Sequence, residues 1–379
     1  MEAFLMRTEK SKSIVTRLLS SAGVTINGQN PWDIQVHDDH FYEQALQGGS
    51  LAIGESYVAN WWDCAQLDGF FTRILRAHLD EQAGHNISLK LHVLFSRLFN
   101  LQTTTRSLHN VERHYDIGND LFQQMLDKRM VYSCAFWQGA HSLDEAQENK
   151  LDLSCRKLRL EPGMQVLDIG CGWGSFARFA AERYGVHVTG ITISKEQAAL
   201  AKERCKGLPV DIKLMDYRSL NARYDAIVSI GMFEHVGYKN YLEYMRIVHR
   251  SLKENGLFLL HTIGSNTSHT FTDRWINKYI FPNSMLPSVS QIGKAIEGLF
   301  VMEHWENFSS DYDKTLMAWY DNFTAGWDQL KHRYSADFFR MWKYYLLSCA
   351  ATFRSRSSQL WQVVLSKGGV DGGYRAPAI

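Results

Sequence analysis

Two regimes of hydrophobic patterning divide the chain. From its start to about residue 108, apolar positions recur at helical spacing. Ile14, Val15, Leu18 and Leu19 form one stripe, and Leu67, Phe70, Phe71, Ile74 and Leu75 form another. Gly48-Gly49-Ser50 and Gly54 predict turns between these helices. From about residue 160, short apolar runs alternate with amphipathic stretches. They predict strands at 164–169, 187–192, 211–215, 226–230 and 257–261, with helices at 175–184, 195–205 and 239–253. Alternation of this kind builds a parallel, doubly wound sheet whose ligands sit at the carboxyl ends of the strands. A last strand is predicted at 363–365. Between it and the fifth strand, residues 271–345 are dense in rings (Trp275, Tyr279, Phe281, Trp319, Tyr320, Trp327, Trp342, Tyr344). They read as part of a helical lid inserted over about 265–345 to cover the carboxyl edge.

Composition narrows the class. A chain of 379 residues suggests about two domains. The formal net charge of +1 provides no global field for nucleic acid, so none is expected as a partner. No apolar run approaches the roughly 20 residues of a membrane span, and the opening MEAFLMRTEKSK lacks a signal-peptide core. Six cysteines (64, 134, 155, 171, 205, 349) show neither metal spacing nor disulfide-like density, which points to a reducing cytoplasm. One local exception to the neutral balance is the stretch 82–111. It carries Lys90, Arg97 and Arg106 among Leu91, Val93, Leu94, Phe95, Leu98, Phe99 and Leu101, with no acidic residue. A helix of that composition either lies on an anionic membrane surface or packs on the second domain.

The candidate chemistry clusters at the predicted strand ends. Residues 166–174 read Val-Leu-Asp-Ile-Gly-Cys-Gly-Trp-Gly, a strand running into a glycine turn and then a helix. Gly170, Gly172 and Gly174 permit positive φ and let a ligand approach the main chain, while the helix end presents free N–H groups. The GxGxG spacing preceded by Asp168 favours S-adenosylmethionine over the GxGxxG ligand NAD. Thr192 and Gln197 are the polar groups near the expected ribose, and Asp216-Tyr217 those near the adenine. All four also fit ordinary turn and cap chemistry. Glu234, after the fourth strand, and His261, ending the fifth, should meet over the sheet edge as a general base or as the holder of a small anion. Cys134 alone reads as an inert buried thiol. A metal site from His114, His235 and His261 is poorly spaced, so no metal is expected.

A longer series of motifs resembles one family, the cyclopropane-fatty-acyl-phospholipid synthases. The matches are HYDIGNDLF (114–122), YSCAFW (132–137), VLDIGCGWG (166–174), GITIS-x-x-Q (190–197), SIGMFEHVG (229–237) and LLHTIG (259–264). They continue through WINKYIFPN (275–283), LPS (286–288), DYDKTLMAWY (311–320) and LWQVV (360–364), and in the N-terminal region through GESYVANWWD (54–63) and LFNLQ (98–102). Phe136 stands where the family commonly has tyrosine. The resemblance implies an α/β fold: a Rossmann-like class I methyltransferase sheet with an aromatic-rich helical lid, plus a smaller, mainly helical N-terminal domain. The expected boundaries are 1–100 for a lipid-engaging domain, 101–113 for a linker and 114–379 for the catalytic domain.

The implied reaction delivers a methyl from S-adenosylmethionine to a cis double bond of a phospholipid acyl chain, and proton loss from that methyl closes a cyclopropane ring. A bound bicarbonate is the implied proton acceptor, caged by Cys134, Glu234, His261, Ile263 and Tyr312. Implied cofactor contacts are Tyr132, Ser133, Asp168, Gly170, Gly172, Gly174, Thr192, Gln197, Asp216 and Tyr217. The implied partners are a phospholipid bilayer with unsaturated chains and a second copy of the chain. The implied location is cytoplasmic and peripheral to the inner membrane. Two other readings remain open: a methyltransferase of the same fold acting on N, O or an alkene without ring closure, and a lipid-binding module with a degenerate cofactor site.

Overall fold

The computed structural model describes residues 2–79 and 118–378, which fall into two compact units. The larger unit takes 118–270, 283–315 and 359–378. Nine strands are defined: β1 Ile34–Val36, β2 Trp62–Cys64, β3 Gln165–Ile169, β4 His187–Thr192, β5 Val210–Leu214, β6 Tyr224–Ile230, β7 Leu252–Ser265, β8 Val301–Asn307 and β9 Ser358–Ser366. Seven of them make one sheet in the order β5-β4-β3-β6-β7-β9-β8. The pairs β3–β4, β3–β6, β4–β5 and β6–β7 are parallel and β8–β9 is antiparallel.

The strands are nearly continuous apolar runs because both faces of the sheet are covered. Side chains alternate between two cores. Leu167, Ile169, Ile227, Phe258 and Leu260 pack with Tyr244, Val248 and Ile292 on one face. Val166, Ala226, Val228, Leu257 and Leu259 pack with Leu151, Phe176 and Ala180 on the other. The period of two along each strand thus sends alternate residues to opposite helical layers.

The smaller unit gathers 2–79, 271–282 and 316–358. Its helices Glu2–Ser21, His40–Val58 and Leu67–Arg76 carry the expected N-terminal stripes. Two expectations need correction. Gly49, with non-helical φ and ψ, breaks His40–Val58 into two helical segments, so the turn expected at Gly48-Gly49-Ser50 is present, whereas Gly54 marks no turn and lies within the second segment. Gly49, at φ 58, kinks that helix, and a Cβ on Gly54 would sit 2.2 Å from Trp275 Cδ1. Gly54 thus admits an indole against a helix instead of ending it. The N-terminal region is mainly helical as expected, with one short antiparallel pair, β1–β2.

The stretch 265–345 is not one helical insertion. It contains the edge strand β8, and its residues 271–282 and 316–345 cluster with the N-terminal segment. β8 reads Val-Met-Glu-His-Trp-Glu-Asn, an edge strand without the apolar run that marks a central one. The last strand is longer than predicted, and the helix predicted at 239–253 spans Tyr241–Ser251. The basic stretch with Lys90, Arg97 and Arg106, the linker 101–113, and His114 lie outside the described residues. Among the described residues no helix is long and apolar enough to cross a membrane.

Candidate active site

The glycine turn leaves β3 at its carboxyl end. Gly170, Gly172 and Gly174 all have positive φ (82°, 54° and 79°), but only two are also required by packing. A Cβ at Gly170 would lie 2.7 Å from Met232 Cγ, and one at Gly174 would lie 3.0 Å from Cys205 Sγ. A Cβ at Gly172 would meet nothing within 4 Å. Positive φ beside open space is what a close backbone approach by a ligand needs. Asp168, at the end of the same strand, is buried, and its Oδ2 has no partner. Burial raises its carboxyl to about 7, with the charge of Lys150 pulling the other way. A ligand bringing a cationic amine next to this carboxylate would return it to its ionised form.

Lys150 was not foreseen. It lies wholly buried on the helix Leu143–Lys157 and donates to Ser133 Oγ at 2.9 Å. Burial lowers it to about 8, opposed first by Asp127. Its charge is felt by Asp168, Cys134 and His261 alike, so one ammonium links the cofactor side to the proposed cage. Leu143, Gln147, Lys150, Ser154 and Lys157 recur at helical spacing on one buried face, but four of the five are polar, so the sequence alone reads that face as solvated.

Glu234 sits in the 3-10 turn Phe233–His235 that follows β6. Its Oε1 accepts from the Ile263 N–H at 2.6 Å and its main-chain oxygen accepts from Met285 N–H at 2.8 Å, while Oε2 has no partner. Burial raises the Glu234 carboxyl to about 7 despite that Ile263 bond. His261, opposite Ile230 in the sheet, is buried and held neutral by burial and by Lys150 and Lys157; its Nε2 has no partner either. Cys134 is fully buried and its thiol is pushed well up, so it is an S–H group and not a thiolate nucleophile.

Hydrogen bonds tie the 132–137 segment to the helix Ser309–Ala325. Ala135 N–H and Trp137 Nε1–H both donate to Thr315 Oγ1, at 3.1 and 3.0 Å, and Trp137 N–H reaches Asp311 Oδ1. Tyr312 is buried on that helix, one turn ahead of Thr315. The structure therefore joins Glu234, His261 and Ile263 directly, through the Glu234–Ile263 bond and the β6–β7 pairing. It places Cys134 within the field of Lys150. A Cβ on Gly231 would lie 3.7 Å from Ser133 Cβ, which puts the 132–137 segment beside the end of β6.

Other expected residues are engaged locally. The Ile263 N–H serves Glu234. Thr192 Oγ1 donates to Gln197 Oε1 at 2.9 Å, and Asp216 accepts from Arg218 N–H and Nη1, both at 2.9 Å. Tyr217 is buried with its hydroxyl unpartnered, and Tyr132 packs edge-on against Phe122.

This sheet order, with a glycine turn after β3 and buried carboxyl groups at the strand ends, defines an enzyme of the class I S-adenosylmethionine-dependent methyltransferase type. Residues 102–363 match the family model for mycolic acid cyclopropane synthetase, and the chain belongs to that family. It is 54% identical over 362 residues to the cyclopropane-fatty-acyl-phospholipid synthase of Escherichia coli K12, covering 96% of this chain and 94% of that one. Among solved structures, the cyclopropane synthase MmaA2 of Mycobacterium tuberculosis superposes with a TM-score of 0.66 at 31% identity, covering 71% of this chain and all of that one. The mycolic acid cyclopropane synthase CmaA1, complexed with SAH and CTAB, gives a TM-score of 0.65 at 33% identity over 69% of this chain and 98% of that one.

Proposed function

We propose that this chain converts cis double bonds in phospholipid acyl chains to cyclopropane rings, with S-adenosylmethionine as methylene source and bicarbonate as the base. The observation that carries the reading is a pair of buried, unpartnered polar atoms, Glu234 Oε2 just after β6 and His261 Nε2 on β7 opposite the last residue of β6. Buried polar groups without partners are rare in native structures, and two on adjacent elements mark a place for a small polar ligand.

S-adenosylmethionine supplies an electron-poor methyl. An alkene attacks such a carbon without prior deprotonation, so a base is needed only afterwards. Bicarbonate would supply that base, which accounts for a site with no ionised side chain poised as a nucleophile. The chain's own residues do the rest. Gly172 opens the backbone to the cofactor, and Asp168 offers a carboxylate to its amine. His261 supplies an N–H donor to an anion and Tyr312 an O–H; the Cys134 S–H, which donates to the Ala135 carbonyl at 3.2 Å in the ligand-free chain, joins them only by turning from that oxygen. Glu234, with a carboxyl near neutrality, can share the anion's proton. Burial keeps water from quenching the carbocation. A positioned base typically contributes about 10²–10⁴-fold to rate, roughly 3–5 kcal/mol of barrier.

The same reading places the protein at the surface of a bilayer, with Lys90, Arg97 and Arg106 favouring anionic lipid, and makes it a homodimer. Its support is similarity to the E. coli synthase along nearly the whole length, N-terminal region included. Vesicle co-sedimentation at low salt, with all three basic residues replaced, tests the first part and sedimentation velocity tests the second. The principal test is to incubate the protein with S-adenosylmethionine and vesicles of cis-unsaturated phospholipid. Proton NMR of the recovered acyl chains should show cyclopropane methylene signals. A methyl-branched alkene instead would reassign the chain to methylation without ring closure.

A further inference from the structure

Lys157 and Gln362 form a buried relay behind His261. Lys157 ends the helix Leu143–Lys157 with its side chain fully buried. Its Nζ lies 2.5 Å from Glu306 Oε2 and 2.7 Å from Gln362 Oε1. Glu306 on β8 and Gln362 on β9 are direct cross-strand partners, so the antiparallel edge of the sheet presents both acceptors to one ammonium. On its other side the Gln362 amide reaches His261, with Nε2 3.2 Å from Nδ1.

The donor and acceptor inventory leaves one arrangement. An ammonium has donors only, so the Gln362 atom facing Lys157 is the carbonyl oxygen; the flipped amide would set N–H₂ against N–H₃⁺. The amide nitrogen then donates to His261 Nδ1, which must accept. A neutral imidazole has a single N–H, and here it can only be at Nε2, the atom left without a protein partner. We infer that Lys157 and Gln362 are positioning residues that hold His261 in the Nε2–H tautomer, so that His261 donates a hydrogen bond to the caged anion and does not take the substrate's proton.

A second proton on His261 would have to sit on Nδ1, facing the amide N–H₂. It would also add a cation beside Lys157 and Lys150, the two charges that already hold the ring's affinity for protons down. The proton lost by the methyl-bearing carbocation as the ring closes therefore passes to the anion, with Glu234 the side chain able to share it. The role of the tautomer rests on the bicarbonate reading above; the tautomer itself does not.

The test is the ¹⁵N spectrum of full-length protein labelled at histidine, with the His261 signals assigned by their loss in His261→Phe. The expected result is a protonated Nε2 and an unprotonated Nδ1. Gln362→Glu presents a carboxylate to Nδ1 and should move the proton there, with turnover falling about 100-fold, in the range seen when one pre-oriented donor is removed, and S-adenosylmethionine affinity unchanged. Gln362→Met should lose about 10-fold, because the tautomer is released but not inverted. A wild-type spectrum with the proton on Nδ1 overturns the inference even if neither Gln362 variant folds, and so does an unaltered tautomer with full turnover in Gln362→Glu. Turnover indifferent to bicarbonate, with Nε2–H observed, would sink the bicarbonate reading and leave the tautomer standing.

Discussion

Two sets of ionisable groups, one in each compact unit, meet burial with opposite outcomes. In the smaller unit the partly buried Arg340 and the buried Asp33 are both answered. Arg340 gives Nε and Nη2 to the Tyr57 carbonyl at 2.8 and 2.6 Å, Nη2 to the Trp62 carbonyl and Nη1 to Asp63, with its guanidinium over the Tyr57 ring. Asp33 is buried, yet bonds from Thr25 and Asn30 outweigh desolvation and hold its carboxyl below the usual range. In the larger unit, Asp168, Glu234 and His261 are as deeply buried, and each keeps an atom without a partner. Satisfied burial is what structural stability selects. Unsatisfied burial costs on the order of 1–3 kcal/mol per group and persists where a ligand completes the bonding.

The comparison breaks if the unsatisfied groups prove dispensable. Glu234→Ala and His261→Ala should each lower turnover at least about 100-fold, near 3 kcal/mol, with calorimetric S-adenosylmethionine affinity little changed. Equal losses in both quantities would move these residues to cofactor binding.

A second prediction sharpens the contrast through pH. Glu234 titrates near 7 when folded against an ordinary 4.5, so the folded state keeps a proton that the unfolded chain has released. Stability therefore falls as pH rises through that window. Ligand-free Glu234→Gln escapes this loss, so its stability relative to wild type should grow by at most about 3 kcal/mol between pH 4.5 and 7. Denaturant titrations at pH 5 and 8 read it. A difference independent of pH contradicts the assigned environment.

On the satisfied side, Arg340→Ala should cost about 2 kcal/mol of stability, since it strips donors from two carbonyls and Asp63. S-adenosylmethionine affinity should not move. The smallest expected effect separates the glycines. Gly172→Ala should weaken S-adenosylmethionine binding about tenfold, or 1.4 kcal/mol, while thermal stability drops by only about 1 kcal/mol from the positive φ. Gly174→Ala should fail chiefly in stability, because its Cβ meets Cys205 and Ala201.

The central sheet was legible because its strands are buried on both faces and separated by amphipathic helices. Four of the five parallel strands fall within two residues of where alternation put them; β7 runs Leu252–Ser265, well past the predicted 257–261 at both ends. β8 was not legible: with two glutamates, a histidine and an asparagine at the sheet edge, it lacks a buried strand's contrast. Nor was the role of Gly54, because a glycine that admits Trp275 against a helix looks in sequence like one that ends a helix, as Gly49 does. Glu234 was legible from its place after β6, and His261 from lying level with the end of β6, although its own strand runs on to Ser265 and does not end at His261 as predicted. Lys150, Lys157 and Gln362 were not, because a buried lysine reads as an exposed one until its helix face is known, and because Gln362 acts through pairing with β8, itself unseen.

The most direct test of the account is a crystal structure with S-adenosylhomocysteine grown in bicarbonate buffer. The account predicts a planar, three-oxygen density held by His261 Nε2 and Glu234 Oε2, with Cys134 and Tyr312 completing the ring around it. Those two atoms paired instead to protein groups, or a hollow holding only disordered water, would contradict it.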